Sequence, residues 1–362
     1  MDLEFTQHLS HIEENIKQFL PPESNSQWAL ESFGKEDCAV VSEHIHPLLE
    51  TTRSLVDLGG KRWRPLLLVL CSCAQSNNNP DNLKMAYSLA PLVEFVHTAS
   101  LIHDDIEDHS ETRRGKPAAY ITYGMDTAIN AGSWLYFQAA TCIEKLNCSV
   151  QMKKNLYSVY TMELRRLHLG QAMDIAWHRN TEKIPSVNEY LAMVKNKTGT
   201  LSSLSAKIGT LCGGGDEEKI LTAGTVASEI GAGFQIIDDV INLTTGNPGK
   251  KRGDDIVEGK KSLPVLMFVQ SAAEEDKSSL LECFKTAGKD GIESPCVEKA
   301  ISLLEKNGAI KKAAQKGIEY IEEGCRNFLD LYGKENLWAK KMGNLFKAMI
   351  PSQVIELAGG MQ

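Results

Sequence analysis

KMAYSLAPLVEFVHTASLIHDDIED, residues 84–108, is apolar over most of its length and acidic at its end. Its apolar residues recur at helical rather than alternating spacing. The stretch therefore predicts one long helix, kinked at Pro91, that closes on a cluster of carboxylates. On a helix, positions i and i+4 share a face, which sets Asp104 and Asp108 side by side. Carboxylates that close repel one another unless a cation lies between them. Hard oxygen ligands favour magnesium, which completes its octahedron with water and phosphate. The bland alternative is a solvated helix end whose acids happen to cluster.

Away from this stretch the helical spacing continues, and alternating strand patterns are scarce. Residues 1–20 predict an amphipathic helix ended by Pro21-Pro22, and the polar stretch 21–37 predicts a loop. A buried helix opens with 66–71 just after Pro65, and 75–81 reads as a polar connection. Further helices are expected over 125–146, 152–177, 187–211 and 217–243, with Gly213-Gly214-Gly215 as a break. Residues 244–259 read as a Gly- and Lys-rich loop, and the rest as helical to the end. With no linker, low-complexity tract or internal repeat, the expectation is one all-α domain over residues 1–362.

Hydrophobic residues make up 42% and charged residues 24% of the 362, an ordinary core-forming balance. The formal charge of -8 argues against a nucleic-acid partner, since such binders are normally basic. The nine cysteines include no CxxC pair, and Cys71-Ser72-Cys73 lies beside an apolar run, so buried inert thiols in a reducing cytoplasm are expected. The first residues lack the basic-then-apolar design of a signal peptide. The longest unbroken apolar runs, 66–71 and 263–269, fall far short of a bilayer span, so no stable membrane insertion is expected.

A second acidic cluster repeats the first one's design. Asp238 and Asp239 close the apolar run 230–237, with Gln235 one turn earlier, and Lys250, Lys251, Arg252 and Lys260 follow. After the first cluster come Arg113-Arg114-Gly115; arginine is the preferred fork for phosphate oxygens, although a plain ion-pair network would use the same residues. Gly59-Gly60-Lys61-Arg62-Trp63-Arg64-Pro65 adds a glycine turn with three cations entering a helix, a weak signal by itself. Any one of these lysines reads equally as a solvated basic loop. Two acid clusters, each with an apolar approach and a basic exit, point to diphosphate chemistry.

GGKRWRP (59–65), HTASLIHDDIED (97–108), RRGKP (113–117), KTGTL (197–201) and FQIIDDVIN (234–242) followed by GKKRGDDIVEGK (249–260) resemble the trans-type isoprenyl diphosphate synthases. The motifs occur in the family's order and cover about residues 55–265. The resemblance implies a single all-α bundle around a central cavity, a homodimer, and three Mg2+ per active site. It implies that Asp104 and Asp108 bind magnesium that grips an allylic diphosphate, that Asp105 supports them, and that Asp238, followed by Asp239, holds a third ion from the opposite wall. Arg113, Lys197, Lys250 and Lys260 would contact the same diphosphate; Lys61, Arg64, His97 and Arg114 would hold isopentenyl diphosphate. Thr198 and Gln235 would lie near the reacting carbons, and Gln171 and Asp174 would face the metals from a further helix. Without the resemblance, His97 reads as a core histidine and Thr198 as packing beside Gly199; His103 and Glu107 read as bystanders. One position departs: Asn242 stands where the family commonly has Asp, which takes a charge from that cluster.

The reaction implied is ionisation, condensation and elimination, with charge on the departing diphosphate neutralised by metal and cations and water kept away from the allylic cation. In the family a bulky aromatic four or five residues before the first aspartate stops growth at fifteen carbons. Here those positions are Ser100 and Ala99, so a product of twenty carbons or more is expected. Four helical residues span about 6 Å, comparable with one isoprene unit, and the small pair leaves the way open toward Val96 and Leu92. The helix bearing Trp134, Tyr136 and Phe137 could supply a floor. The rival readings are a farnesyl diphosphate synthase, a class I terpene cyclase and a non-catalytic partner subunit. Residues 238–246 do not supply the cyclase's second metal motif, which combines Asn, Ser and Glu at fixed spacing, and a non-catalytic subunit could have lost the residues kept here.

Overall fold

The computed structural model describes residues 3–178, 180, 183–246 and 251–360. Those residues form two compact units, Met1–Met162 with Leu204–Gly224, and Glu163–Ser203 with Thr225–Gln362. In chain order the helices of the first stretch are α1 (Leu3–Phe19), α2 (Ser26–Phe33), α3 (Ser42–Val56), α4 (Trp63–Ser76) and α5 (Pro80–Glu107). A two-stranded hairpin follows, β1 (Thr112–Arg113) with β2 (Lys116–Pro117), then α6 (Ala119–Tyr123), α7 (Met125–Glu144) and α8 (Val150–His178). Next come α9 (Val187–Val194), a π-helical turn (Lys195–Gly199), α10 (Thr200–Cys212), α11 (Glu217–Thr244) and α12 (Asp254–Glu258). The chain continues with α13 (Leu263–Ser271), α14 (Glu274–Asp290), α15 (Pro295–Lys306), α16 (Ala309–Tyr332), α17 (Leu337–Ala348) and α18 (Ser352–Ala358). The expected all-α class holds.

In the first unit α5 is the central helix, packed on α4 and α7. Asn79 starts it by accepting from the Asp81 and Asn82 amides, and Pro80 takes the first helical position, where its missing N–H costs nothing. From Leu89 to Val96 every residue is buried, and the helix runs through Pro91. Its last turn is acidic and carries no base, although the carbonyl end of a helix disfavours anions by about 0.3–1 kcal/mol per charge. That placement works against stability unless cations offset it.

In the second unit Ile236, Ile237 and Val240 of α11 are buried, and Gly317 and Gly324 of α16 make room for Ile237 and Ile230. By length and mean hydropathy α5 (1.2) and α11 (1.3) reach what a bilayer crossing needs, but 67% and 56% of those windows are buried, as in core helices.

Four expectations are corrected. Residues 21–37 are not all loop: α2 forms there, capped by Asn25, whose side chain accepts from the Trp28 amide at 2.9 Å. Its aromatic residues meet α7, with Phe33 stacked on Trp134 at 6.2 Å and Trp28 edge-on to Trp134 at 6.4 Å. Residues 187–211 are not one α-helix, because the π turn interrupts them. Residues 244–259 are not all loop, since α12 lies within them. Finally, the connection placed at 75–81 shrinks to 77–79, because α4 runs to Ser76 and α5 starts at Pro80.

Candidate active site

Each unit gathers one group of the expected residues. In the first unit α5 and its C-cap supply His97, Asp104, Asp105 and Asp108, the turn before α4 supplies Lys61, the first turn of α4 supplies Arg64, and the hairpin supplies Arg113 and Arg114. The pairing of Thr112 with Pro117 and Arg113 with Lys116 leaves Arg114-Gly115 as a two-residue turn. Both have positive φ, +52° and +74°, the geometry that suits a tight hairpin and that a non-glycine residue adopts only with strain. The strained arginine donates to the Gly59 carbonyl.

Asp105 is buried, and Arg113 holds it through Nε at 2.8 Å and a second guanidinium nitrogen. The same arginine lies 3.7 Å from Asp104. Burial pulls the Arg113 pKa down, but the bond and charge of Asp105, then Asp104 and Asp108, outweigh it and raise the value. Asp105 is thus buried and held by Arg113, while Asp104 and Asp108 are half-buried at the helix end. His97 and Arg64 meet at 3.4 Å, and Lys61 is exposed. Enclosure of the ring, then the charges of Arg64, Arg114, Arg113 and Arg62, hold His97 well below the ordinary histidine range. It is therefore neutral at physiological pH. Arg62, by contrast, is buried and tied to Glu94 at 2.5 Å, Glu13 at 2.7 Å and the Val56 carbonyl at 2.7 Å, so it holds the fold together.

In the second unit the π turn presents Lys197 and Thr198. A π turn widens the helix locally and is a frequent mark of functional sites. Gly170 of α8 lets it approach, because a Cβ there would lie 2.2 Å from the Lys197 amide nitrogen. Lys197 pairs with the buried Asp174 at 2.7 Å, and Gln171 is half-buried on the same helix. Thr198 donates to Gln235 Oε1 at 2.8 Å, Gln235 donates to Asp239 Oδ1 at 3.0 Å, and Tyr190 donates to Asp239 Oδ2 at 2.6 Å. Burial, and next the charge of Asp238, push Asp239 up to about 6 against the lowering effect of Tyr190, Gln235 and the Leu263 amide. Asp238 is exposed. Lys260 pairs with Glu258 at 2.5 Å and lies 3.8 Å from Asp255. Lys250 lies outside the described residues.

The donors suit magnesium: Asp104, Asp108 and Asp238 offer hard carboxylate oxygens that the protein leaves at least partly accessible. Among the described residues no three His, Cys, Asp or Glu side chains converge as a preformed metal cage. Magnesium needs none where water and substrate phosphate complete its shell.

A family model described as polyprenyl synthetase matches residues 46–303. The chain belongs to that family. It is 35% identical over 279 residues to a geranylgeranyl diphosphate synthase of Methanosarcina mazei, a match covering 76% of this chain and 82% of the relative. It is 32% identical over 276 residues to a short chain isoprenyl diphosphate synthase of Methanothermobacter thermautotrophicus, covering 76% and 81%. The solved geranylgeranyl pyrophosphate synthetase of Pyrococcus horikoshii Ot3 superposes with a TM-score of 0.77 at 29% identity, covering 95% of this chain and 96% of that one. As a member of the polyprenyl synthetase family the protein is a prenyltransferase. The family works on isopentenyl and allylic diphosphates and is generally magnesium-dependent.

Two buried hydrogen-bonding residues near the candidate site escaped the sequence reading. Tyr190 carries no motif signal, since its partner Asp239 is 49 residues away. Glu163 is buried against Thr200 at 2.5 Å, and an isolated acid on an amphipathic helix looks solvated in sequence. Of the chain-length positions, Ala99 is fully buried, as are Val96 and Leu92, and Ser100 donates to the His97 carbonyl at 2.8 Å. His103 stacks on Tyr136 at 5.7 Å.

Proposed function

We propose that the protein condenses isopentenyl diphosphate with an allylic diphosphate to give an all-trans prenyl diphosphate of twenty carbons or more. The observation that carries this reading is in the first unit, where α5 and its C-cap carry Asp104, Asp108 and neutral His97, the first turn of α4 carries Arg64 and the hairpin turn carries Arg114. A condensing enzyme must hold two diphosphates, and a cyclase only one. Lys61, Arg64, His97 and Arg114 bind isopentenyl diphosphate, the charge-free imidazole donating or accepting one hydrogen bond without repelling the arginines. Asp104, Asp108 and Asp238 hold three Mg2+, which when bound neutralise charge on the allylic diphosphate. Arg113, Lys197 and Lys260 bind that diphosphate too, with Lys250 assigned to it from sequence alone. Thr198 and Gln235, locked by Asp239, flank the carbons that join. The released diphosphate accepts the proton, so no protein base is required.

This reading takes residues 1–362 as one catalytic domain working in the cytoplasm as a homodimer without stable membrane insertion. Purified protein alone, given Mg2+, isopentenyl diphosphate and dimethylallyl, geranyl or farnesyl diphosphate, should yield one dominant linear product by chromatography. Cyclic hydrocarbons, or no turnover until a second polypeptide is added, would sink it. The small pair Ala99 and Ser100 sets the length: Ala99→Phe or Ser100→Phe should shorten the product to fifteen carbons. Unchanged product from both variants removes this part of the reading.

A further inference from the structure

We propose that Asn242 is a positioning residue: its side chain fixes α12, and through it Lys260, against the end of α11 that carries Asp238. The role given to Lys260 rests on the proposed function. Asn242 lies one turn beyond Asp238 and is 1% exposed. Its Oδ1 accepts from the Asp255 amide at 3.2 Å, and its own carbonyl accepts from the Gly253 amide at 2.8 Å. A magnesium ligand at this place would need an accessible oxygen, as Asp238 has. Asn242 instead commits its oxygen to a backbone amide inside the protein, so the charge missing relative to aspartate removes no ligand.

The reason α12 needs this help lies at Gly253. The first amides of a helix have no partner within it, and a side chain at the preceding residue normally supplies one. Gly253 has φ +87°, and a Cβ there would come within 2.4 Å of Val297 Cγ1, which closes the position to Ser, Asp or Asn. The capping oxygen must therefore come from another element, and Asn242 provides it. From Asp255 the connection runs on to Lys260, whose amide donates to the Asp255 carbonyl at 2.9 Å and whose ammonium is held by Glu258 at 2.5 Å. Arg252 adds a second tie, donating to the Leu243 carbonyl at 3.1 Å and pairing with Glu298 at 3.2 Å and Glu305 at 3.1 Å.

Asn242→Leu keeps the branched shape and removes the acceptor, whereas Asn242→Asp keeps the acceptor and puts a carboxylate oxygen, with its charge, in place of Nδ2, which is buried and makes no hydrogen bond. With the full-length enzyme and whichever allylic diphosphate it uses, Asn242→Leu should raise the allylic KM about tenfold, the worth of one well-placed hydrogen bond. The KM for isopentenyl diphosphate and the half-saturating Mg2+ concentration should stay put, and Asn242→Asp should restore the allylic KM. Amide exchange at 253–255 should speed up in the leucine variant alone. An unmoved allylic KM, a uniform loss that tracks melting temperature, or a shifted Mg2+ requirement in Asn242→Leu each overturns the proposal. Failure of the wild type to turn over any primer counts against the proposed function instead, and the exchange measurement still decides whether Asn242 holds α12.

Discussion

Asp239 is bonded on both carboxylate oxygens by Tyr190 and Gln235, while Asp238, one residue earlier, is exposed. The two aspartates should respond differently to substitution. On the proposed function, Asp238→Ala should lower kcat by about a hundredfold or more and raise the Mg2+ needed, because it would remove a charge-stabilising ligand. Asp239→Asn replaces one of two accepting oxygens with an amide donor, so the donors from Gln235 on one side or from Tyr190 and the Leu263 amide on the other must reorient. Its kcat should fall about tenfold with the Mg2+ requirement unchanged; titrating both variants with Mg2+ separates them. His97 carries a pH signature of its own. Its folded pKa is depressed below the ordinary histidine value, so the folded protein resists the proton that the unfolded chain accepts. Its contribution is intact above about pH 6.5 and declines as pH falls below it. Melting temperatures between neutral and mildly acidic pH should therefore drop more steeply in the wild type than in His97→Gln.

Among the elements, the π turn between α9 and α10 shows where periodicity stops being informative. The apolar spacing over 187–211 reads as one helix, since a single widened turn shifts the pattern too little to notice. What sets it is contact with α8 at Gly170. Gly170→Ala puts a methyl group against backbone that has nowhere to go. It should cost about 1–3 kcal/mol of stability and reduce kcat by misplacing Lys197 and Thr198, as thermal melts and steady-state rates would reveal. The hairpin was readable only in part: RRGKP marked a phosphate candidate, while the left-handed turn that aims Arg113 at Asp105 and Arg114 at Gly59 emerges from strand pairing. α2 was hidden by a polar composition whose two aromatic residues find their use only against α7.

At the scale of the whole molecule, the buried carboxylates find partners within the protein: Asp105 is paired with the Arg113 guanidinium, and Asp239 accepts hydrogen bonds from Tyr190 and Gln235. Chelating divalent cations should abolish turnover while leaving the helical circular dichroism signal unchanged, and restored Mg2+ should restore activity. Helical class, the two acid clusters and the cations that follow them were legible in sequence because helix period and charge spacing are local properties. So was the family, since its motifs are short and ordered. The roles within each cluster were not local. Asp104 and Asp105 are neighbours of the same type, as are Asp238 and Asp239; the resemblance assigned their roles by position, and burial and distant partners supply the physical difference between them. Helical spacing and the paired acid clusters by themselves pointed to an all-α protein with diphosphate chemistry, and the resemblance of its ordered motifs added the prenyltransferase; tertiary packing alone decided which carboxylates stay accessible, because desolvation and a hydrogen bond from 49 residues away leave no trace in local sequence.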